Sequence, residues 1–358
     1  MKKWKFGVIG YGFIGRRHVD TLKSFEEADC VAVCDINPLR RKEVKEKYPD
    51  MDIYEDAAEM LKREDMDGVI ISANNNQHKK LVLMAAKAGK QILVEKPAAL
   101  SVAEFDEMVA AAEENHVTLT VHQQRRFDKD YRSVKECYDK KLVGDIYLIK
   151  SALYGYNGNM HDWHVYKSEG GGMLYDWGVH LIDQILDMVD SRLVSVYADV
   201  RNVINKEVDD YFKILLRFEN KVTAEIELGT YYLSDQKDWF ERHWYVGGNK
   251  GSMYADKFDP VGKIVKTTRL LENVNEDQDK SAKSYGPTRS FGVPEEGLIV
   301  TEEIPHVVCE QRDYFTEYFK ALDGKRDFLV KPEQVRRVLR VMELCRESAE
   351  QMKSMDFE

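Results

Sequence analysis

No apolar run in this sequence is long enough to cross a bilayer, positive charge is not in surplus, and cysteine is scarce. The first absence argues against a membrane-spanning helix. The start, Met1-Lys2-Lys3-Trp4, is followed by a short apolar run that stops at Gly10-Tyr11-Gly12, so it reads as a first strand and not as a secretory leader. Lys and Arg number 53 against 63 Asp and Glu, a net charge of −10. That field repels phosphate backbones and acidic lipid, so neither nucleic acid nor a membrane is an expected partner. Five scattered cysteines, an odd number, fit a reducing cytoplasm better than a disulfide scaffold. Internal repeats and low-complexity tracts are missing as well. What remains is 358 residues, 43% apolar and 32% charged, the mixture of a globular chain long enough for two domains.

The first third alternates two periods. Lys5–Gly10, Cys30–Cys34, Gly68–Ser72, Gln91–Val94 and Val117–Val121 are short apolar runs, and helical spacing separates them, as at Ile14, Val19, Leu22 and Phe25. Ser101-Val102-Ala103-Glu104 is a capping-box signature ahead of an Ala-rich helix. Strands without polar alternation, interleaved with helices, predict an α/β Rossmann domain with a parallel sheet covered on both faces, here residues 1–122. Beyond that the grammar changes. Asp145–Leu153, Val194–Val203, Tyr211–Phe218 and Val222–Leu228 read as strands, with Glu219-Asn220-Lys221 as a hairpin turn. Helices are expected near Tyr131–Leu142 and Leu174–Val189, with two more toward the C-terminus. Residues 123–358 thus form an α+β domain with an open, mainly antiparallel sheet. Residues 272–300 are polar and aperiodic, and read as a long loop serving as lid or contact arm.

Gly10-Tyr11-Gly12-Phe13-Ile14-Gly15 is G-x-G-x-x-G at a strand-to-helix junction. The first glycine allows the tight turn, the second admits a pyrophosphate, and the third lets helix and strand pack closely. Asp35 lies twenty positions beyond Gly15, where a carboxylate accepts ribose hydroxyls and repels a 2′-phosphate, which favours NAD over NADP. Arg40 and Arg41, close by, pull the other way. Glu95-Lys96-Pro97 leaves a buried strand at the end where ligands bind in open parallel sheets. Further on, Gly170-Gly171-Gly172 opens a helix on which Asp176, His180 and Asp183 follow at intervals of four and three, predicting one shared face. An acid one turn before a histidine orients the imidazole for proton transfer.

In this order the segments resemble the Gfo/Idh/MocA family of sugar and cyclitol oxidoreductases over nearly the whole chain. The resemblance extends to Ser72–His78, similar to the family's cofactor loop with Asn74 where proline is usual, and to Gln124-Arg125-Arg126-Phe127. It also covers Asp162-Trp163-His164, where the family carries Asp-Trp-Arg. It implies a catalytic group of Lys96, Asp176 and His180. It also implies a cofactor surface of Gly10, Gly12, Phe13, Ile14, Gly15, Asp35, Ser72, Asn74, Asn75, His78, Glu95, Lys96, Gln124 and Trp163. Substrate would meet Lys96, Arg126, Tyr156, His161, His164, Asp176, His180 and Asp183. The implied reaction is NAD-dependent hydride transfer at a secondary hydroxyl of a sugar, a glycoside (at C3 among its positions) or an inositol. The enzyme would be a homodimer or homotetramer packed through the open sheet. Two other readings stand beside it: a tightly held NAD recycled through a transient keto-sugar, and a sugar sensor without catalysis. His161, His164, Asp176 and His180 could also be read as a metal set, but nicotinamide chemistry needs no metal and none is expected.

Overall fold

The apolar runs of the first third become the strands of a six-stranded parallel sheet. They are β1 (Trp4–Ile9), β2 (Ala28–Cys34), β3 (Asp52–Tyr54), β4 (Gly68–Ile71), β5 (Gln91–Val94) and β6 (Leu119–Val121), in the order 3-2-1-4-5-6. The computed structural model describes residues 3–156, 160–231, 240–270 and 296–358. Helices α1 (Phe13–Lys23), α2 (Pro38–Lys47), α3 (Ala57–Leu61), α4 (His78–Lys87) and α5 (Val102–Glu114) make the crossovers. Strand order reverses between β1 and β4, so the crevice at their carboxyl ends is the expected ligand position. The signature before α5 is realised in modified form. Ser101 Oγ accepts the Glu104 N–H, but Glu104 reaches back to the N–H of Leu100 and not to that of Ser101.

The second sheet has nine strands: β7 (Ile146–Gly155), β8 (Leu193–Arg201), β9 (Tyr211–Phe218), β10 (Thr223–Gly229), β11 (Phe240–Gly248), β12 (Gly251–Asp256), β13 (Val261–Thr267), β14 (Ile299–Glu303) and β15 (Met355–Asp356). Their order is 14-13-12-11-7-10-9-8-15, antiparallel except for the β7–β10 pair. The β9–β10 hairpin turns at Lys221, which holds the left-handed φ of 69° that the reversal requires. One face of this sheet packs under α6 (Lys129–Asp139), α7 (Val179–Met188) and α9 (Pro332–Gln351), while the other carries exposed Tyr197, Tyr245 and Tyr254. The segment read as a 272–300 loop lies outside the described residues through 295. Its last residues are not loop: Ile299 and Val300 open β14, which pairs antiparallel with β13.

Helix α8 (Asp313–Leu322) is C-terminal in sequence yet packs on the first sheet. Its rings meet Phe6 and Phe25, with Phe25–Phe319 centroids 5.2 Å apart, and Tyr314 Oη donates to the Val121 carbonyl at 2.8 Å.

Candidate active site at the domain seam

The glycine turn has the shape a dinucleotide requires. Gly10 holds φ +92°, and a Cβ there would stand 2.6 Å from the Ser72 carbonyl. A Cβ on Gly15 would stand 1.9 Å from the Gly10 carbonyl, so helix and strand touch. Gly12 differs: a Cβ would meet nothing closer than Arg40 Nη1 at 3.9 Å. Gly12 also caps α1 with no side chain over the first turn, which leaves an open, electropositive helix start for a pyrophosphate. Phe13, Ile36 and Leu39 flank it at 72%, 83% and 74% exposure, apolar surface that an adenosine and a nicotinamide would cover. Ile14 follows on the first turn, partly buried.

Asp35 is buried at the end of β2 and already accepts three hydrogen bonds. The N–H groups of Tyr11 and Asn37 donate at 2.7 Å, and Arg40 Nη1 at 3.3 Å. One lone pair of Oδ1 remains for a ribose hydroxyl, not a pair of acceptors. The half-exposed Arg40 lies where a 2′-phosphate would arrive. Asp35→Ala is therefore expected to free Arg40 and to raise the NADP-to-NAD ratio of kcat/KM by about tenfold or more. Steady-state rates with both cofactors check this, and an unchanged ratio would remove Asp35 from cofactor choice.

The loops after β4 and β5 are knitted together. Ser72 Oγ donates to the Gly10 carbonyl at 2.8 Å and so supports the glycine turn from behind. His78 is fully buried, its two ring nitrogens 2.9 and 3.0 Å from the carbonyls of Pro97 and Ala73. It fastens the loops and offers no ring nitrogen to a cofactor. Asn74 and Asn75 likewise turn their amides to residues 169 and 170 of the second domain. Glu95 is also not at the cofactor surface. Its Oε1 is shared by His18 Nε2 and His122 Nδ1, each at 2.7 Å, and Oε2 accepts the Lys96 N–H. Burial would raise this carboxyl, but the His122 and His18 imidazoles outweigh it and hold Glu95 well below the usual range. These three are the metal-type cluster among the described residues; His161, His164, Asp176 and His180, the alternative set weighed in the sequence, do not form one. The 2.7 Å separations are hydrogen bonds between ligand atoms.

Lys96 crosses the seam. Its Nζ donates to the Asp176 carboxylate and to the Asp176 carbonyl, both at 2.8 Å. That carbonyl lies in a π-helical turn, Leu174–Gly178, before α7 begins at Val179. Asp209 fixes the turn, accepting the Leu174 N–H on its carboxylate at 2.6 Å and the Met173 N–H on its carbonyl at 2.9 Å. His180 is buried beside the pair, with Nδ1 3.2 Å from Gln123 Oε1, which places its proton on Nδ1 and leaves Nε2 as acceptor. Burial, then the cations Lys96 and Arg125, push the His180 pKa well below 6.5.

The one-face expectation fails at Asp183. The π-helical turn displaces only Asp176, since His180 and Asp183 both lie in the regular helix α7, and Asp183 points into a buried ion pair. Arg126 Nε and Nη2 grip both its oxygens at 2.8 and 2.7 Å, and Nη1 takes Asp187, the Leu329 carbonyl and Gln334. Arg126 and Asp183 therefore anchor α7 to the segment before α9 and are not substrate contacts.

Gln124 keeps a buried Oε1 without a hydrogen-bond partner, an acceptor still open to a donor. Trp163 stacks on His164 at 3.9 Å. Burial lowers the His164 pKa, with Asp176 pulling it up and Lys96 down, so the ring lies within electrostatic reach of the lysine–aspartate pair. His161 is exposed, bonded to the neighbouring Asp162, and Tyr156 is exposed at a bridge to Tyr231. A cavity of about 460 Å³ lined by Arg17, Phe258 and Cys309 contains none of Lys96, Asp176 or His180; the convergence of these groups, and not hollow volume, marks the site. Gln123, Asp209, His18 and His122 escaped the sequence reading, because each acts through a partner distant in the chain.

A 3-2-1-4-5-6 sheet with an open glycine turn, facing a lysine–carboxylate pair and a neutral imidazole, defines a dinucleotide-dependent oxidoreductase. The family model for the oxidoreductase family with NAD-binding Rossmann fold (GFO/IDH/MocA) matches residues 4–123, and that for the GFO/IDH/MocA C-terminal domain matches 131–254. The chain belongs to the Gfo/Idh/MocA oxidoreductase family. A myo-inositol 2-dehydrogenase from Thermotoga maritima is 27% identical over 257 residues, 70% of this chain and 75% of the relative. A scyllo-inositol 2-dehydrogenase (NADP(+)) from Bacillus subtilis is 24% identical over 99% of this chain and 96% of its own length. The crystal structure of an NAD-binding protein from Listeria innocua superposes with a TM-score of 0.84 at 31% identity, covering 99% of this chain and 97% of that one.

Proposed function

We propose that this chain is an NAD-dependent dehydrogenase acting on a secondary hydroxyl of a sugar, glycoside or cyclitol. The observation that carries the reading is Lys96 Nζ held at 2.8 Å on Asp176 beside the buried His180, whose pKa burial and the neighbouring cations lower. Gly12, Asp35 and Gln124 would hold the dinucleotide, whose nicotinamide would supply the hydride acceptor. Lys96 donates to the alcohol oxygen and stabilises its developing charge, while Asp176 holds the ammonium in place. His180 Nε2 takes the hydroxyl proton. The inositol dehydrogenases among the relatives support a cyclitol or sugar, with His164 and Trp163 at the rim as the recognition surface.

Reduced-nicotinamide absorbance tests this, with NAD and NADP each offered myo- and scyllo-inositol, free aldoses, and aryl or alkyl glucosides. Continuous growth with one polyol is the expected result. A rise limited to one equivalent of enzyme would replace this reading with a cofactor recycled in place, and no rise with any polyol would overturn it. The exposed tyrosine-bearing face of the second sheet is the surface we assign to a dimer or tetramer. Five unpaired thiols support a reducing, cytoplasmic setting.

A further inference from the structure

Three consecutive asparagines follow β4, and all three reach across the seam. Asn74 Nδ2 donates to Glu169 Oε2 at 3.1 Å. Asn75 Nδ2 donates to the Gly170 carbonyl at 2.8 Å. Asn76 Nδ2 is shared between Glu169 Oε2 at 3.1 Å and the Ser168 carbonyl at 3.0 Å. The docking is close as well as polar: Gly170 holds φ +76°, and a Cβ there would stand 2.8 Å from Asn75 Cβ and 2.7 Å from Leu100 Cδ2. Ser72, at the root of this loop, braces the glycine turn. The facing strap carries Trp163 and His164 and runs straight into Gly170-Gly171-Gly172, where Gly172 N–H donates to the His164 carbonyl at 2.9 Å. One side of the contact thus borders the dinucleotide turn, and the other borders Lys96 and Asp176.

We propose that Asn74, Asn75, Asn76 and Glu169 form a latch between the two domains that sets how fast the dinucleotide leaves. The inference rests on the reading that the cofactor lies along the glycine turn beneath this loop. Release then requires the strap and the loop to part, and the hydrogen bonds to Glu169 resist that parting. Glu169 is the hub, because two asparagine amides converge on one of its oxygens. The four residues are positioning residues: they hold the walls of the cleft and take no part in hydride or proton transfer.

The test is NADH release from the full chain, followed by stopped-flow fluorescence, with single-turnover hydride transfer from preloaded enzyme measured alongside. Glu169→Ala and Asn76→Ala are each expected to speed release by about tenfold, in line with the loss of two hydrogen bonds in each. Hydride transfer in both should stay within about twofold of the parent. Glu169→Gln keeps an amide oxygen that can accept from both asparagines and should restore slow release. Parent-like release in Glu169→Ala would overturn the latch, as would equal changes in release and hydride transfer that Glu169→Gln fails to rescue. The substrate reading fails separately. A parent that binds NADH but oxidises no polyol, with release still faster in Glu169→Ala, keeps the latch and removes the proposed reaction.

Discussion

Lys96→Ala is expected to lower kcat by about two to three orders of magnitude, the effect of deleting one charged donor to a developing alkoxide. His180→Ala should cost about two to four orders, the usual range for a positioned general base. Both variants should still bind NADH, since neither side chain shapes the glycine turn, and fluorescence titration checks that folding and cofactor binding survive. Near-normal turnover in either would take that residue out of the mechanism. The acid limb of kcat/KM for oxidation carries a further signature. His180 is held well below 6.5, first by burial and then by Lys96 and Arg125. Its neutral form is the base, so a depressed pKa keeps the base ready as pH falls. Activity should stay flat from neutral pH down through 6.5 and decline only below it. A limb centred at or above 6.5 would show that another group accepts the proton.

Arg126→Ala should destabilise the fold by about 3–5 kcal/mol, because it leaves Asp183 buried and charged without its partner. Arg126→Met combined with Asp183→Leu should recover much of that loss, since removing both charges also removes their desolvation cost. Denaturant midpoints at constant m would measure both, and KM in the surviving fraction should not move. A loss below about 1 kcal/mol together with a raised KM would return Arg126 to the substrate surface.

The Rossmann half was legible because its strands lie between covered faces and therefore read as unbroken apolar runs, and because the glycine spacing has a steric meaning at each position. In the second domain β7 to β10 showed themselves by alternation. Strand β11 did not: Arg242 takes an inward position there, paired with Asp130 at 2.9 Å, so a charge stands where the pattern asks for an apolar residue. Within the candidate site, Lys96, Asp176 and His180 converge as their motifs implied. Asp183 does not, because its partner Arg126 lies 57 positions away and helical spacing alone does not reveal it. Glu95 and His78 belong to the motifs by sequence and to the interior by structure, a distinction that depends on the distant His18 and His122 for Glu95 and on the carbonyls of Ala73 and Pro97 for His78. The asparagine run was visible as composition, but its partner Glu169 was not, since nothing in the local sequence relates residues so far apart.

Helix α8 also bears on how the chain acquires its shape during synthesis. Phe6 in the first strand finds Tyr318 and Phe319 as ring partners, and Trp4 Nε1 bonds to Asp323, 319 positions away. When residue 122 leaves the ribosome, the six parallel strands are all present, but one flank of their sheet still lacks its aromatic cover. That cover arrives only after strands β7 to β14 of the second sheet have been made. The order of emergence therefore leaves the nucleotide half waiting, with apolar surface open to solvent, until residues 313–322 dock back on the first sheet.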